Sequence, residues 1–304
     1  AGREHVTVLV DPELEESVLG PFKLQFEQDE ATADHGLQWL TKKTGSADRA
    51  VLIYNHPSRK DDDSDENIQD VLNWRQSSLQ FIGFEGAPGH QRMNPTGSYM
   101  GRFQTQNRWD PVTAEIGGAW DQLLDRGHNI WAALAVSEFH NEKMDYAPCE
   151  FARIHVYPED RTARGILAGL QAGSFWADHG RILDDLLFSL SVPGLSLPVT
   201  AGAVVRVGAS QALQFTVLLQ RGAGALDSGL IVEIIGNGRS GKPELLFTQS
   251  LLADESRVDY TLTDYVAGSD GDSAYFRVRM RIRKVVEDGA DLMAYTNAIR
   301  VVTH

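Results

Sequence analysis

The chain has 304 residues, 42% of them hydrophobic, and a mean hydropathy of −0.27, a composition typical of folded proteins that excludes wholesale disorder. With 28 Lys and Arg against 42 Asp and Glu, the formal net charge is −14, so nonspecific nucleic-acid binding is not expected. Cys149 is the only cysteine, which excludes an intrachain disulfide and any multi-cysteine metal site. Any metal must therefore be bound by His, Asp and Glu side chains.

No apolar run approaches the roughly 20 residues that a membrane-spanning helix needs, so we expect no membrane span. The first residues, AGREHVTVLVDPE, have neither the basic start nor the apolar stretch of a secretory signal peptide. These residues therefore leave the cellular compartment open.

Residues 1–187 alternate short apolar runs with helical patterns. The apolar runs are VTVLV, AVLIYN, LQFIGFE, IWAALAV and ARIHVY, which begin at Val6, Ala50, Leu79, Ile130 and Ala152. Their length and composition predict buried parallel strands. The helical patterns cover residues 34–44, 66–75, 114–126 and 162–172. Such alternation predicts an α/β sheet or barrel.

From residue 188 the sequence changes to successive strand-like segments separated by Gly-rich or Asp-rich turns, which predicts a β-sandwich. The charge changes at the same point, because residues 1–187 carry a net charge of −13 and residues 188–304 a net charge of −1. We therefore predict two domains, 1–187 and 188–304. Eight alternating residues are expected to form the apolar faces of the sandwich: Phe215, Val217, Val232, Ile234, Phe276, Val278, Met280 and Ile282.

Polar residues follow three of the predicted strands of the first domain, in the sequences NHPSR, EG and SEFHN. Functional side chains collect at the carboxyl ends of parallel strands. In extended chain, Glu138 and His140 project to the same side. A carboxylate beside an imidazole is half of a zinc, manganese or iron site. The alternative for this pair is a surface ion pair.

Four further residues have both a functional and a structural interpretation. His56 is either a metal ligand or a strand-end residue bonded to the backbone. Glu85 and His90 are additional candidate ligands, with a solvated turn as the alternative. The Arg59 guanidinium either binds a substrate phosphate or faces solvent.

Several segments, taken in order, resemble the second half of PHP-domain proteins, the polymerase and histidinol phosphatase family: NHPSR, AWDQLLDRG, SEFHN, PCEFARIHVY and ILAGLQAGSFWADHG. The resemblance covers residues 1–187. It implies a distorted seven-unit β/α barrel that binds up to three metal ions and hydrolyses phosphoester bonds. It also implies metal-ligand roles for His56 in a His-Pro motif, for Glu138 and His140 in place of an Asp-x-His motif, and for His5.

The family's opening His-x-His motif, its next histidine and its bridging glutamate would all precede His5. A closed β/α barrel also needs about 250 residues, more than this domain has. We therefore expect an incomplete barrel followed by the β-sandwich, with a missing N-terminal segment or a second chain completing it. The first strand would then present an exposed edge.

The resemblance implies a metal-dependent hydrolase of phosphoester bonds that acts on a small phosphorylated substrate. The expected cofactor is a divalent Zn, Mn or Fe ion, and the site is expected to be incomplete in this chain. Two alternatives stay open. One is a noncatalytic PHP-like scaffold whose β-sandwich binds a glycan or protein partner, and the other is an amidohydrolase-like C–N hydrolase.

A row of arginines lies in the second domain. Arg277, Arg279, Arg281 and Arg283 alternate with apolar residues and so lie on one face of a predicted strand. This row either receives a phosphate, a polyanion or the acidic first domain, or is the solvated face of the strand.

Overall fold

The computed structural model describes residues 5–26, 33–59, 64–88, 92–93, 107–137, 139–208, 211–225, 229–263, 265, 273–282 and 291–303. In this part of the chain the fold is mostly β, with a few helices and mixed sheets that do not close on themselves. The predicted PHP-like barrel is therefore not seen in the described residues. No helix among them is long and apolar enough to cross a membrane.

The described residues form six α-helices: α1 Gly20–Phe26, α2 Ala33–Thr44, α3 Ser64–Ser77, α4 Pro111–Ala114, α5 Ala119–Asp125 and α6 Ala163–Gln171. The helices predicted from residues 34–44, 66–75 and 162–172 correspond to α2, α3 and α6. The helix predicted over residues 114–126 is interrupted, because Gly117 takes a φ of +80° that a right-handed helix does not allow. α5 therefore begins only at Ala119.

The strands are numbered in chain order: β1 Val6–Val10, β2 Ala50–Tyr54, β3 Phe81–Phe84, β4 Ala87–Pro88, β5 Ala135–Val136, β6 Ala152–Val156, β7 Phe175–His179, β8 Leu183–Ser191, β9 Val199–Thr200, β10 Val204–Val207, β11 Leu213–Arg221, β12 Leu230–Gly236, β13 Glu244–Leu251, β14 Arg257–Leu262, β15 Ser273–Ile282, β16 Leu292–Thr296 and β17 Ile299–Thr303.

The first half of the chain contains a small mixed sheet in the order β1-β2-β3. β2 and β3 are parallel, as are β4 and β5. The expected parallel direction is wrong for β1, which is antiparallel to β2, and for β6, which is antiparallel to β7. An apolar run indicates that a strand is buried but not which way it runs, because direction depends on the end of the sheet to which the connecting chain returns.

A glycine allows the chain after α5 to approach β3. Trp131 donates its N–H to the carbonyl of Ile82 at 2.9 Å, and its own carbonyl accepts from the N–H of Phe84 at 3.1 Å. A Cβ atom on Gly83 would lie 1.8 Å from the Trp131 carbonyl oxygen, so no other residue fits there without a shift of the backbone. Residues 131–136 consequently run alongside β3 and β4.

Two larger sheets pack face to face in the rest of the chain. The eight-stranded sheet has the order β10-β17-β15-β16-β7-β6, with β12 also paired to β15 and β13 to β12. The four-stranded sheet has the order β14-β11-β8-β9. The rings of Phe215 on β11 and Phe276 on β15 lie 4.7 Å apart between the sheets. All eight residues predicted for the apolar faces are buried, which confirms that part of the sandwich prediction.

The predicted domain boundary at residues 187 and 188 falls inside β8. This strand pairs with β11 along most of its length, from Leu183 to Ser191. On the other side of the boundary, β7 pairs with β16, which brings β6 and β7 into the eight-stranded sheet. Backbone hydrogen bonds therefore connect the two predicted domains, and their division stays a prediction.

The arginine row contacts the acidic half of the chain. Arg277 donates from Nε and Nη2 to the two carboxylate oxygens of Asp121 at 2.7 and 2.8 Å, and both side chains are fully buried. Arg279 donates to the carbonyl of Ala114 at 3.0 Å. The solvated-face interpretation is thus wrong for Arg277, because α5 covers it. Arg283 lies outside the described residues.

Candidate functional site

The polar residues that follow β2 and β3 lie together at one edge of the small sheet, where the carboxyl ends of these two strands meet. Tyr54 and Phe84 are register partners at the ends of these parallel strands, and the N–H of Glu85 donates to the Tyr54 carbonyl at 2.7 Å. β1 starts at the same edge, because Val6 pairs with Tyr54. His5, His56 and Glu85 therefore leave the sheet on one side.

The structure places the side chains of His5 and His56 together. His5 Nδ1 lies 3.3 Å from His56 Nε2, with the ring planes at 77° to each other. His56 is 6% exposed, whereas His5 is exposed. Two nitrogens bound to one tetrahedral zinc ion at 2.0–2.1 Å lie about 3.3 to 3.4 Å apart. The same separation also suits a hydrogen bond between two neutral imidazoles.

His56 is held in an uncommon backbone conformation. Its φ is +36°, in the left-handed region, and the following residue is Pro57, which restricts the conformation of the residue before it. Strained conformations of this kind persist only where the surrounding structure enforces them, and they cluster at functional sites. The conformation therefore marks His56 as more than an ordinary strand end.

Asp110 is a buried carboxylate at this edge that the sequence analysis did not identify. Its Oδ2 accepts from the N–H of Ser58 at 3.0 Å, and its Oδ1 accepts from the N–H of Val112 at 3.0 Å. Its own N–H donates to the carbonyl of Gly86 at 2.6 Å. The Asp-Pro sequence at 110–111 predicts the start of a helix, but nothing in the sequence indicates that Asp110 contacts Ser58.

The prediction of a solvated turn at Glu85 is wrong. This side chain is fully buried, because the chain after Trp131 covers the turn. The N–H of Gly86 donates to the carbonyl of Leu134 at 2.7 Å, and a Cβ atom on Gly86 would lie 2.3 Å from the carbonyl oxygen of Ala132. Glu85 is thus an ionisable residue held inside the protein at the edge where the histidines meet.

A buried imidazole lies behind the turn that contains Asp110. His179 Nε2 lies 2.7 Å from the carbonyl oxygen of Asn107, and its ring stacks on Phe151 with the centroids 5.1 Å apart. Burial and the nearby Arg108 guanidinium lower the pKa of His179 to about 4. At neutral pH this ring is therefore uncharged and donates to Asn107. Its role here is structural.

Among the described residues, His140 is not part of a group of three or more metal ligands. His140 is exposed, and its Nδ1 lies 4.0 Å from Asp145 Oδ2. Asp145 also accepts from the backbone N–H of His140 at 2.8 Å. Glu138, His90 and the side chain of Arg59 lie outside the described residues. Their proposed roles, like that of His140, stay predictions.

Within the part of the chain that the structure describes, there is no group of three or more His, Cys, Asp or Glu residues that could hold a metal ion. The histidine pair thus has the spacing of two ligands, but the described residues do not complete a coordination sphere. His5 and His56 could supply two of the ligands of one metal ion.

The sequence matches no protein-family model and no curated protein. One similar solved structure is a superoxide reductase (neelaredoxin) from Ignicoccus hospitalis, with 14% identity, a TM-score of 0.23, and coverage of 39% of this chain and 83% of that chain. Another is the CARDB domain of the PF1109 protein from Pyrococcus furiosus in complex with di-metal ions, with 16% identity, a TM-score of 0.22, and coverage of 40% and 90%. Similarities at such low TM-scores carry no argument about this chain.

Proposed function

We propose that this chain is a PHP-type, metal-dependent hydrolase of phosphoester bonds and that His5 and His56 bind its divalent ion. The observation that carries the proposal is the 3.3 Å separation of His5 Nδ1 and His56 Nε2 at the edge where the parallel strands end. The strained backbone of His56 supports it, because strain is retained where geometry matters for function.

Imidazole nitrogens suit zinc and iron, and a carboxylate such as that of Glu138 suits manganese, so we propose one of these ions. When bound, the ion would supply a water activated near neutral pH and positive charge for the phosphate. Positive charge is needed, because residues 1–187 carry a net charge of −13 and would repel a phosphorylated substrate. Glu138 and His140 are the further ligands that the resemblance implies, and the experiments below include them.

A second candidate is a noncatalytic PHP-like scaffold. It is favoured by one observation, that the described residues contain no group of three ligands. In this case the histidine pair shares a hydrogen bond and the paired sheets carry a partner-binding surface. The two candidates differ in what happens when metal is added.

Titration of the metal-free protein with Zn²⁺ and Mn²⁺ by calorimetry tests the proposal. We expect one ion to bind, and His56→Asn to weaken binding by more than about tenfold, since losing a ligand costs more than losing the group that orients one. Asparagine tolerates the left-handed conformation, so the fold should be kept. Exposed His35 on α2 provides the control, and His35→Ala should bind like the wild type.

Turnover of a generic phosphodiester in added Mn²⁺ or Zn²⁺ separates the two candidates. A hydrolase loses turnover in His56→Asn and, if the resemblance assigns the late ligands correctly, also in Glu138→Gln and His140→Ala. Metal binding without turnover would favour the scaffold. Metal binding that is unchanged in His5→Ala and His56→Asn would show that the pair is not a metal site.

A further inference from the structure

The conformation of His56 needs support on both sides. On the N-terminal side, the N–H of Asn55 donates to the His5 carbonyl at 2.9 Å, which ties the two histidine-bearing segments together. On the C-terminal side, Pro57 has no N–H to donate. The first backbone donor after His56 is therefore the N–H of Ser58.

That donor is bound by Asp110. Ser58 is buried and its N–H lies 3.0 Å from Asp110 Oδ2, in a pair where the acceptor is itself fully buried. Hydrogen bonds from backbone N–H groups to a carboxylate are stronger than those between neutral groups. Asp110 is fixed in turn by its bonds to Gly86 and Val112. The turn after β2 is thus fastened to the turn after β3 and to the start of α4.

We propose that Asp110 is a positioning residue, which holds the His56-Pro57-Ser58 turn. It keeps His56 Nε2 at the separation from His5 Nδ1 that allows both nitrogens to bind one metal ion. It acts through the backbone of Ser58. The inference deepens the proposed metal role of the pair and rests on it, but the placement of the His56 ring can be measured without metal.

Asp110 also caps α4, and the experiment must separate that role from positioning. Asp110→Ser does so, because serine is as good an N-cap as aspartate, while its single oxygen on a shorter group cannot serve Val112 and Ser58 together. A matched control is Thr162→Ala. Thr162 caps α6 by accepting from the N–H of Gly165 at 3.0 Å, and its loss removes a helix cap away from the histidine pair.

The readouts are the ¹⁵N–¹H spectrum of the imidazoles in metal-free protein and the Zn²⁺ affinity. In Asp110→Ser we expect the His5 and His56 signals to shift and the affinity to fall by about tenfold, the lower end of the effect of groups that orient metal ligands. Thr162→Ala should change neither. If Asp110→Ser does not fold, Asp110→Asn gives the same readouts, because its amide replaces one acceptor by a donor.

Unchanged imidazole signals and unchanged Zn²⁺ affinity in a folded Asp110 variant would overturn the inference while leaving the metal site intact. If the wild type binds no Zn²⁺, the proposed function fails by itself. Shifted imidazole signals in Asp110→Ser would then still support positioning of His56, and unshifted signals would overturn it.

Discussion

The non-glycine residues with positive φ in the described part of the chain are His56, Arg108, Cys149 and Arg181. Hydrogen bonds link the loops that contain Arg108, Cys149 and Arg181. His179 contacts the carbonyl of Asn107, and the N–H of Gly180 donates to the carbonyl of Phe151 at 2.9 Å. Asp110, two residues after Arg108, reaches the turn after His56. The loop that contains Arg108 is thus the one among these that contacts the turn after His56, through the bond between Asp110 and Ser58.

At the residue scale, His179 predicts a pH dependence of stability. Its pKa is about 4 in the folded protein against an ordinary value of 6.5, so the unfolded chain binds the proton more readily. The stability from the neutral ring is present above pH 6.5 and is lost as the pH falls towards 4. From pH 7 to pH 4 this amounts to about 3 kcal/mol of unfolding free energy.

Urea unfolding at pH 7 and pH 4 measures this loss in the wild type and in His179→Gln, whose amide does not titrate. The wild type should lose about 3 kcal/mol more than the variant over this range. Exposed His35 gives the control, because His35→Gln should follow the wild type. Equal losses in the wild type and His179→Gln would show that another group carries the pH dependence.

At the scale of elements, the positions of strands and helices were largely predictable, and their partners were not. Each of the five apolar runs in the first half contains a strand, because burial leaves a local signal in the sequence, although in IWAALAV the strand is limited to Ala135–Val136. The strand β7 was missed, since FWADH follows a helix and mixes apolar with charged residues. Direction and sheet membership depend on contacts between distant residues, which one sequence does not record.

The same limit applies to the candidate site. The His-Pro sequence at 56–57 and the polar ends of β2 and β3 identified two residues of the edge, His56 and Glu85. The hydrogen bond between Ser58 and Asp110 joins residues 52 positions apart and leaves no trace in the local sequence. Burial of Glu85 likewise follows from the covering chain after Trp131, which local turn signals cannot report.

The contact between α5 and β15 yields a prediction about buried charge. Asp121 and Arg277 form a two-point ion pair that is fully buried, with the guanidinium 4.6 Å from the Trp120 ring. Asp121→Asn leaves the arginine charge without its counter-charge, so we expect a loss of about 3–5 kcal/mol in unfolding free energy. Replacing both residues, as Asp121→Leu with Arg277→Met, should recover most of that loss.

An exposed pair provides the comparison. Arg257 and Asp259 lie 2.6 Å apart with side chains 59% and 57% exposed, so Asp259→Asn should cost less than about 1 kcal/mol. Urea unfolding of the three variants measures these differences. A loss in Asp121→Asn no larger than that in Asp259→Asn would show that the buried pair does not stabilise this contact.

At the scale of the whole molecule, charge and pattern in the sequence suggest two domains, whereas the hydrogen bonds connect them. β8 crosses residue 187, and β6 and β7 extend the eight-stranded sheet from the N-terminal side. Arg300 on β17 adds a further link, because its Nη2 donates to the carbonyl of His128 at 3.0 Å. Residues 188–304 therefore depend on residues 1–187 for strands β6 and β7 and for the carboxylate of Asp121, which pairs with Arg277.

This dependence predicts how fragments behave. Residues 188–304 alone begin inside β8 and lack β6, β7 and Asp121, so we expect no cooperative urea unfolding by circular dichroism. Residues 151–304 keep the whole eight-stranded sheet but lack α5, which covers Arg277 in the full chain, so the guanidinium faces solvent in this fragment. Arg277→Met should therefore change the stability of the 151–304 fragment by less than about 1 kcal/mol, whereas it destabilises the full chain by leaving Asp121 buried and unpaired. Cooperative unfolding of residues 188–304 at the midpoint of the full chain would instead establish an independent domain boundary at residue 187.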